Sequence, residues 1–92
     1  MSLSKLEELL SNSRNRVVGT KQTIKALENG EAQKVFIASD AEDKVTRPVV
    51  SLCEEKNVEL YYVESMQKLG KLSGIKVKAA VAAIKDNEKE VD

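Results

Sequence analysis

A short run of consecutive apolar residues, Val35-Phe36-Ile37-Ala38, is the feature that most limits the folds open to this chain. A strand with one solvent-exposed face would alternate apolar and polar residues, whereas this run has no polar position until Ser39-Asp40-Ala41-Glu42. The pattern therefore predicts a strand that is buried on both faces of its sheet. A sheet of that kind needs helices packed against both sides.

Further strands are predicted on either side of this run. Residues 58–63 are rich in β-branched and aromatic residues, residues 77–84 are built mainly of Ala and Val, and residues 14–18 form a short extended segment. Between these segments the chain has helical periodicity.

Four helices are predicted. The first has Leu3, Leu6, Leu9 and Leu10 at helical spacing and Ser2 or Ser4 as its cap, and the second occupies residues 20–27 before Asn29-Gly30. We predict that Thr46 and Pro48 begin the third helix, with Pro48 in its first turn, and that the helix ends at Lys56-Asn57. Ser65 is expected to cap the fourth helix, which ends at Gly74.

This alternation predicts an α/β fold, a three-layer α/β/α sandwich around a mixed sheet of about four strands. Residues 1–84 are expected to form a single domain, followed by a charged tail at 85–92. Gly70 lies inside the fourth predicted helix, where glycine costs about 1 kcal/mol relative to alanine. We expect close packing against a neighbouring element, rather than contact with a ligand, to explain it.

The charges are unevenly distributed although 15 Lys and Arg residues balance 15 Asp and Glu residues. Two segments are basic and contain no acid: residues 14–25 carry Arg14, Arg16, Lys21 and Lys25, and residues 67–78 carry Lys68, Lys71, Lys76 and Lys78. This separation is compatible with one basic face on a neutral protein.

The first of these segments contains a helix start, Gly19-Thr20-Lys21-Gln22-Thr23-Ile24-Lys25-Ala26-Leu27. Thr20 is the predicted N-cap, and Lys21, Gln22 and Lys25 share the polar face of the helix. A helix N-terminus that collects positive charge is either a solvated surface or a seat for an anion.

Several chemistries have no support in the sequence. The chain has no histidine, no Cys/His cluster for zinc, and four glycines that match neither the dinucleotide fingerprint nor the phosphate-binding loop. Cys53, the single cysteine, lies in an apolar run and is expected to be a small core residue. We therefore expect a non-enzymatic protein without metal or cofactor. The chain also lacks a signal peptide or membrane span, so a cytoplasmic location is expected.

Two blocks of the sequence resemble a known family. The segment from Gly19 to Leu27, followed by Asn29-Gly30, resembles the Gly-x-Asn-Glu-x-x-Lys segment of the large-subunit ribosomal proteins L7Ae and L30e. Residues 63–75 resemble their second block, a variable loop followed by Leu-Gly-x-x-x-Gly. The resemblance covers about residues 13–84 and is strongest to the short bacterial branch of the family.

The resemblance implies an α/β/α protein that binds kink-turn RNA, a duplex bent sharply at a bulge beside tandem sheared G·A pairs. It places Gly19, Thr20, Lys21, Gln22 and Lys25 in the groove at the G·A pairs. It also implies that a loop of Val63, Glu64, Ser65 and Met66 covers an extruded base. Lys21 and Gln22 replace the Asn and Glu of archaeal members. The basic segments, including Arg14, Arg16 and Lys68, are expected to contact phosphates.

The expected partner is structured RNA, either ribosomal RNA or a riboswitch-type RNA, bound by a monomer. The resemblance further implies that Gly19 is needed because RNA backbone passes close by, rather than because the chain requires a positive φ. An alternative is a protein–protein interaction module of the same fold, in which the basic segments are ordinary solvated faces. A small-molecule enzyme is a third, less favoured, possibility.

Overall fold

Helices and strands alternate along the part of the chain that the structure, a computed structural model, describes, namely residues 3–85. In chain order the elements are α1 (Leu3–Asn12), β1 (Arg16–Val18), α2 (Thr20–Glu28), β2 (Ala32–Ala38), α3 (Asp43–Lys56), β3 (Glu59–Val63), α4 (Met66–Leu72) and β4 (Val81–Lys85). The predicted tail lies outside the described residues, except for Lys85, which ends β4.

The four strands form one mixed sheet in the order β1-β4-β2-β3. Strands β2 and β3 are parallel, whereas β4 is antiparallel to both β1 and β2. The predicted α/β/α fold with a mixed four-stranded sheet is confirmed. Strands β1 and β3 are the two edge strands, and β4 and β2 lie between them.

Strand β2 is buried on both faces, as its apolar run predicts. Alternate residues belong to two different clusters, with Phe36 and Ala38 on one face of the sheet and Val35 and Ile37 on the other. The first face packs against Leu6 and Leu10 of α1 and Leu69 of α4. The second face packs against Leu27 of α2 and against Val49 and Cys53 of α3.

Cys53 is one of these core residues, as expected. Its side chain is buried and makes no disulfide, and desolvation by burial raises the pKa of its thiol to about 11. The thiol therefore stays protonated at neutral pH, which removes the thiolate that a nucleophile would need.

The third helix begins earlier than predicted. It starts at Asp43 after the N-cap residue Glu42, so Pro48 lies inside the helix and the prediction of a first-turn proline is wrong. A proline there removes the hydrogen bond to the carbonyl of Lys44. Pro48 and Lys44 are both exposed, so water can reach that carbonyl. The predicted end is confirmed, with Asn57 as the C-cap at a φ of 58°.

The first helix also differs from its prediction. It begins at Leu3, which places Ser4 inside the helix rather than at its cap, while Ser2 lies outside the described residues. Leu6 and Leu10 are buried, but Leu9 is 42% exposed, so the buried stripe is narrower than predicted.

The predicted last strand is too long, because β4 begins only at Val81. Residues 77–80 cross the end of the sheet instead, and Val77 is 69% exposed. This segment explains Gly70. A Cβ atom at position 70 would overlap the carbonyl oxygen of Val77 and lie 3.1 Å from the Cα atom of Lys78. The expectation that Gly70 serves close packing is confirmed.

The start of α2 corrects two expectations. Gly19, not Thr20, is the N-cap, and Thr20 is the first helical residue. Gly19 has a φ of 112° and a ψ of 152°, a backbone conformation that essentially only glycine adopts. The chain therefore requires a positive φ at Gly19, contrary to the expectation that close approach of RNA alone explains this residue.

We predict that Gly70→Ala lowers the free energy of unfolding by about 1–3 kcal/mol, because the added methyl group overpacks against the backbone at Val77. This loss would exceed the gain of about 1 kcal/mol in helix propensity. A urea titration measures it, with Lys71→Ala in the same helix as the exposed control. Equal stability of the two variants would contradict the packing role of Gly70.

We predict that Gly19→Ala lowers the free energy of unfolding by about 1–3 kcal/mol through backbone strain, with no RNA present. Thr20→Ala is the matched control and should stay within about 0.5 kcal/mol, since Thr20 caps nothing. Thermal melts of both variants test the assignment. A larger loss for Thr20→Ala than for Gly19→Ala would return the capping role to Thr20.

Candidate nucleic-acid interface

Several sequence-predicted residues meet at one end of the sheet, which we call the carboxyl end. It is defined by the last residues of β1, β2 and β3, which are Val18, Ala38 and Val63, and by the first residue of β4, Val81. The register brings these positions side by side, because Val18 pairs with Ala82, Ile37 with Val81, and Ala38 with Val63. In open α/β sheets ligands bind outside the carboxyl ends of the strands.

Helix α2 begins at this end with its first turn open. No side chain accepts a hydrogen bond at the N-cap, and the first turn contains no acidic residue. Lys21, Gln22 and Lys25 are exposed together, whereas Thr23, Ala26 and Leu27 are buried against the sheet. The open first turn and the helix dipole both favour an anion or another hydrogen-bond acceptor here.

Gln22 folds back over the glycine that precedes the helix. Its Oε1 atom lies 2.6 Å from the point where a Cβ atom of Gly19 would stand. Gly19 thus supplies both the backbone turn and the space that the Gln22 side chain occupies. An amide at this position can both donate and accept hydrogen bonds.

The predicted loop of residues 63–66 offers less surface than its sequence suggests. Val63 is fully buried, and Met66 is half-buried against the α1/α4 side of the core. The Ser65 hydroxyl accepts a hydrogen bond from the Lys68 amide at 3.1 Å and caps α4, as predicted. Only Glu64 presents an exposed side chain.

Two of the predicted basic residues are engaged within the protein. The Arg16 guanidinium donates to the carbonyl oxygens of Leu10, Ser11 and Ser13, at 3.3, 2.7 and 3.2 Å, and so closes the end of α1. Arg14, by contrast, is exposed in the bend between α1 and β1.

Lys68 is the second engaged residue. Its Nζ atom lies 3.4 Å from a carboxylate oxygen of Glu7 and 3.5 Å from one of Glu64. The hydrogen bond with Glu7 is the main cause of the raised pKa of Lys68. Both carboxylates offset its charge, which makes Lys68 a weaker candidate for a phosphate contact than Lys71, which forms no ion pair among the described residues.

Residues 77–80, which are part of a predicted strand, lie between the start of α2 and the start of α4. The Ala79 amide donates to the Met66 carbonyl at 3.0 Å, and the Gly19 amide donates to the Val81 carbonyl at 2.9 Å. Residues 75–78 lead into this stretch and border a groove of about 350 Å³ against α4. Three lysines line the groove: Lys71, Lys76 and Lys78.

Val77 is the residue that sequence reasoning missed. It is the most exposed large hydrophobic side chain in the described part of the chain, and it stands between Lys76 and Lys78. In sequence, an apolar residue between two lysines predicts a strand. The sequence signal for it is Gly70, whose lack of a side chain admits this segment against α4.

The acids near the carboxyl end are mostly engaged. Asp40 accepts a hydrogen bond from the Met66 amide at 2.8 Å, and Asp43 pairs with Arg47 at 2.6 Å. Among the described residues, no carboxylate forms an ion pair with the lysines of α2 or of residues 71–78, which are Lys21, Lys25, Lys71, Lys76 and Lys78. The unpaired charge at this end is therefore mainly positive.

Residues 3–85 contain no group of three or more acidic, cysteine or histidine side chains arranged to hold a metal ion. Within the same residues no helix has the length and apolar character needed to cross a membrane.

Two bacterial proteins are similar in sequence to this chain. The chain is 47% identical over 78 residues to an RNA-binding protein of Halalkalibacterium halodurans, an alignment covering 85% of this chain and 95% of that one. It is 48% identical over 68 residues to the RNA-binding protein YbxF of Geobacillus stearothermophilus, covering 74% and 83% of the two chains.

Two solved structures share the fold. A 15.5kD RNA binding protein of Giardia lamblia matches with a TM-score of 0.85 at 24% identity, covering 94% of this chain and 75% of that one. A protein of unknown function from Bacillus halodurans matches with a TM-score of 0.76 at 27% identity, covering 88% and 81%.

The sequence profile described as the ribosomal protein L7Ae/L30e/S12e/Gadd45 family matches residues 1–92. The two sequence blocks, the four-stranded mixed sheet and this match agree, and the chain belongs to that family.

Proposed function

We propose that this protein binds structured RNA at the carboxyl end of its sheet and that its target is a kink-turn. The observation that carries the proposal is the open, acid-free N-terminus of α2, with Lys21 and Lys25 exposed and unpaired among the described residues. The names of the bacterial relatives, which are RNA-binding proteins, support the same class of ligand.

A distorted RNA is favoured by the shape of the interface. The deep groove of regular A-form RNA is too narrow for side chains to read, so a helix terminus can enter only where the duplex is widened or bent. The start of α2 is such a terminus, and Gly19 keeps it free of a bulky flanking side chain. Sheared G·A pairs beside a bulge provide a widened groove of this kind.

The polar face of α2 matches the edge of guanine. Lys21 and Lys25 can donate to the O6 and N7 atoms or to a phosphate, and Gln22 can donate through its amide nitrogen and accept through Oε1. The replacement of Asn and Glu by Lys21 and Gln22 therefore keeps donors in the groove and one acceptor. Thr20, at the first helical position, presents its backbone to the same groove.

The extruded base of the kink is proposed to lie over residues 76–80 and the loop that ends β3. Val77 offers the exposed apolar surface there, since the side chain of Val63 is buried. Glu64 and the backbone of Ser65 and Met66 border that surface. Lys76 and Lys78 flank Val77 and are proposed to contact phosphates on either side of the base.

A single chain carries the whole proposed interface, so one copy is expected to bind one kink. The description of the family, which names ribosomal proteins, supports ribosomal RNA as the class of partner. Arg14 precedes β1 and lies near the end of β4, since the Lys85 amide donates to the carbonyl of the adjacent Asn15, so we propose that it lies outside the interface at the carboxyl end. Arg16 and Lys68 are proposed to support the interface through their internal contacts rather than through phosphates.

We predict at least about tenfold tighter binding to a kink-turn RNA than to the same RNA with its G·A pairs converted to Watson–Crick pairs, a difference of about 1.4 kcal/mol. The conversion closes the widened groove that α2 needs. A gel-shift titration at fixed salt concentration measures both affinities. Equal affinities would leave only non-specific charge attraction, and the kink-turn proposal would fail.

We predict that Lys21→Ala and Lys25→Ala each weaken kink-turn binding by about 1–3 kcal/mol if they meet a guanine edge. Both side chains are exposed, so the free energy of unfolding should change by no more than about 0.5 kcal/mol. Binding isotherms and thermal melts on the same preparations test this.

Lys56→Ala is the matched control for these two variants, because Lys56 is an exposed lysine at the opposite end of the sheet. It should bind kink-turn RNA as the unmodified protein does. If all three variants bind with unchanged affinity, the polar face of α2 is not the contact surface.

A further inference from the structure

The start of α4 is held by a residue from another part of the chain. The Met66 amide donates to a carboxylate oxygen of Asp40 at 2.8 Å, a contact between residues 26 positions apart in sequence. Met66 is the first residue of α4, and Asp40 lies in the turn between β2 and α3. The amides of a first helical turn have no partner within the helix. Asp40 therefore adds a second cap to the local one that Ser65 supplies.

The short length of α4 makes this second cap important. The helix has seven residues, Met66–Leu72, and a helix of that length is marginal in water without contacts to the rest of the protein. Ser65 directly precedes the helix and moves with it. Asp40, in contrast, follows closely after β2, the strand that is buried on both faces. Its carboxylate therefore ties the start of α4 to the centre of the sheet.

Met66 connects this anchor to the segment that carries Val77. The carbonyl oxygen of Met66 accepts a hydrogen bond from the Ala79 amide at 3.0 Å, so both backbone groups of Met66 are engaged. Two successive hydrogen bonds thus join Asp40 to Ala79 through the backbone of one residue. They link the turn after β2, the start of α4 and the segment before β4.

Two further hydrogen bonds at this end of the sheet do not involve the Asp40 side chain. The Ser39 amide donates to the Val63 carbonyl at 2.8 Å, and the Ala38 amide donates to the Ala80 carbonyl at 2.9 Å. These bonds hold the end of β3 and the residue before β4 through the backbone alone. A change of the Asp40 side chain leaves their donors and acceptors in place. What such a change removes is the tie between this turn and the start of α4.

The charge of Asp40 opposes the attraction of RNA to this end of the sheet. Asp40 is exposed, and a carboxylate there repels phosphates and offsets part of the field of the unpaired lysines. A carboxylate also accepts hydrogen bonds without donating any. A purely electrostatic role and a positional role therefore predict opposite effects of truncating this side chain. Loss of the charge alone would strengthen RNA binding, whereas loss of the anchor would weaken it.

We propose that Asp40 is a positioning residue for the extruded base of the RNA. By holding Met66 it keeps the start of α4 and residues 76–80 in place beside that base, without contacting the base itself. This role rests on the proposed function, since it concerns the part of that interface that receives the base. The anchor exists in the free protein, so this part of the interface is ordered before RNA arrives, which lowers the entropic cost of binding.

Amide hydrogen exchange of the free protein tests the anchor. In Asp40→Ala the Met66 and Ala79 amides should exchange at least about tenfold faster than in the unmodified protein. Asp40→Asn should keep most of the protection, because its amide oxygen can still accept from Met66. The Lys68 amide, which bonds to Ser65, is the internal control. Unchanged exchange at Met66 and Ala79, or an equal acceleration at Lys68, overturns the proposal.

Binding to two RNAs separates the positional role from effects of charge and stability. One is a kink-turn RNA, and the other is the same RNA with an abasic nucleotide at the extruded position. Asp40→Ala should bind the intact RNA about tenfold more weakly than the unmodified protein does, and the abasic RNA with nearly unchanged affinity. Asp40→Asn should keep the preference for the intact RNA.

Asp43→Ala is the matched control. It removes an acid from the same end of the sheet, but the carboxylate of Asp43 pairs with Arg47 and makes no contact with α4 among the hydrogen bonds of the described residues. It should change the affinity for both RNAs by the same factor. A loss of preference for the intact RNA in Asp43→Ala as large as that in Asp40→Ala overturns the proposal.

The preference of the unmodified protein separates a failure of this inference from a failure of the proposed function. If the unmodified protein binds both RNAs equally, the extruded base makes no contact, and the base-binding part of the proposed function fails together with the role of Asp40. If the unmodified protein prefers the intact RNA and Asp40→Ala keeps that preference, only the inference about Asp40 is wrong. Tighter binding of both RNAs by Asp40→Ala and Asp40→Asn alike also overturns it, because charge alone would then explain this residue.

Discussion

Three consecutive residues, the two before β4 and the first residue of β4, hold the carboxyl end of this protein together. The Ala79 amide bonds to the Met66 carbonyl, the Ala80 carbonyl accepts from the Ala38 amide, and the Val81 carbonyl accepts from the Gly19 amide. Residues 79–81 thus join the starts of α4 and α2 to the end of β2. These bonds connect the beginnings of α2 and α4 at the carboxyl end. Gly70 and Gly19 permit them, one by admitting the segment and the other by turning the chain.

Local patterns in the sequence predict the parts of the fold whose cause is local. The apolar run in β2 has no polar face, so burial on both sides follows directly, and Ser65 caps α4 through its own side chain. The same reasoning fails at residues 77–80. Their composition suggests a strand, but Gly70 allows the backbone at Val77 and Lys78 to pack closely against α4. It fails also at Pro48, because an exposed carbonyl can be satisfied by water inside a helix as well as at its start.

In the candidate site, too, local spacing predicts some residues correctly, whereas the contacts of others depend on tertiary packing. The exposed face of α2 follows from spacing alone, since Lys21 and Lys25 are four residues apart. Arg16 and Lys68 looked equivalent to them in sequence, yet the first meets the carbonyls that end α1 and the second meets Glu7 across the fold. Such contacts depend on how α1 packs, and no pattern around either residue encodes them.

The neutral composition hides an uneven distribution of ion pairs. At the amino end of the sheet, where β2 and β3 begin and β4 ends, Lys34 pairs with Glu59 at 3.2 Å and Lys85 with Glu31 at 3.3 Å. At the carboxyl end Asp40 accepts from the Met66 amide and Asp43 pairs with Arg47, whereas the lysines around α2 and Val77 form no ion pair among the described residues. The unpaired lysines therefore determine the field that an anionic partner encounters at this end. The opposite charges of the whole chain cancel at long range, but the field of nearby charges persists within a Debye length of about 8–10 Å. A small protein with no net charge can in this way still present one positive end.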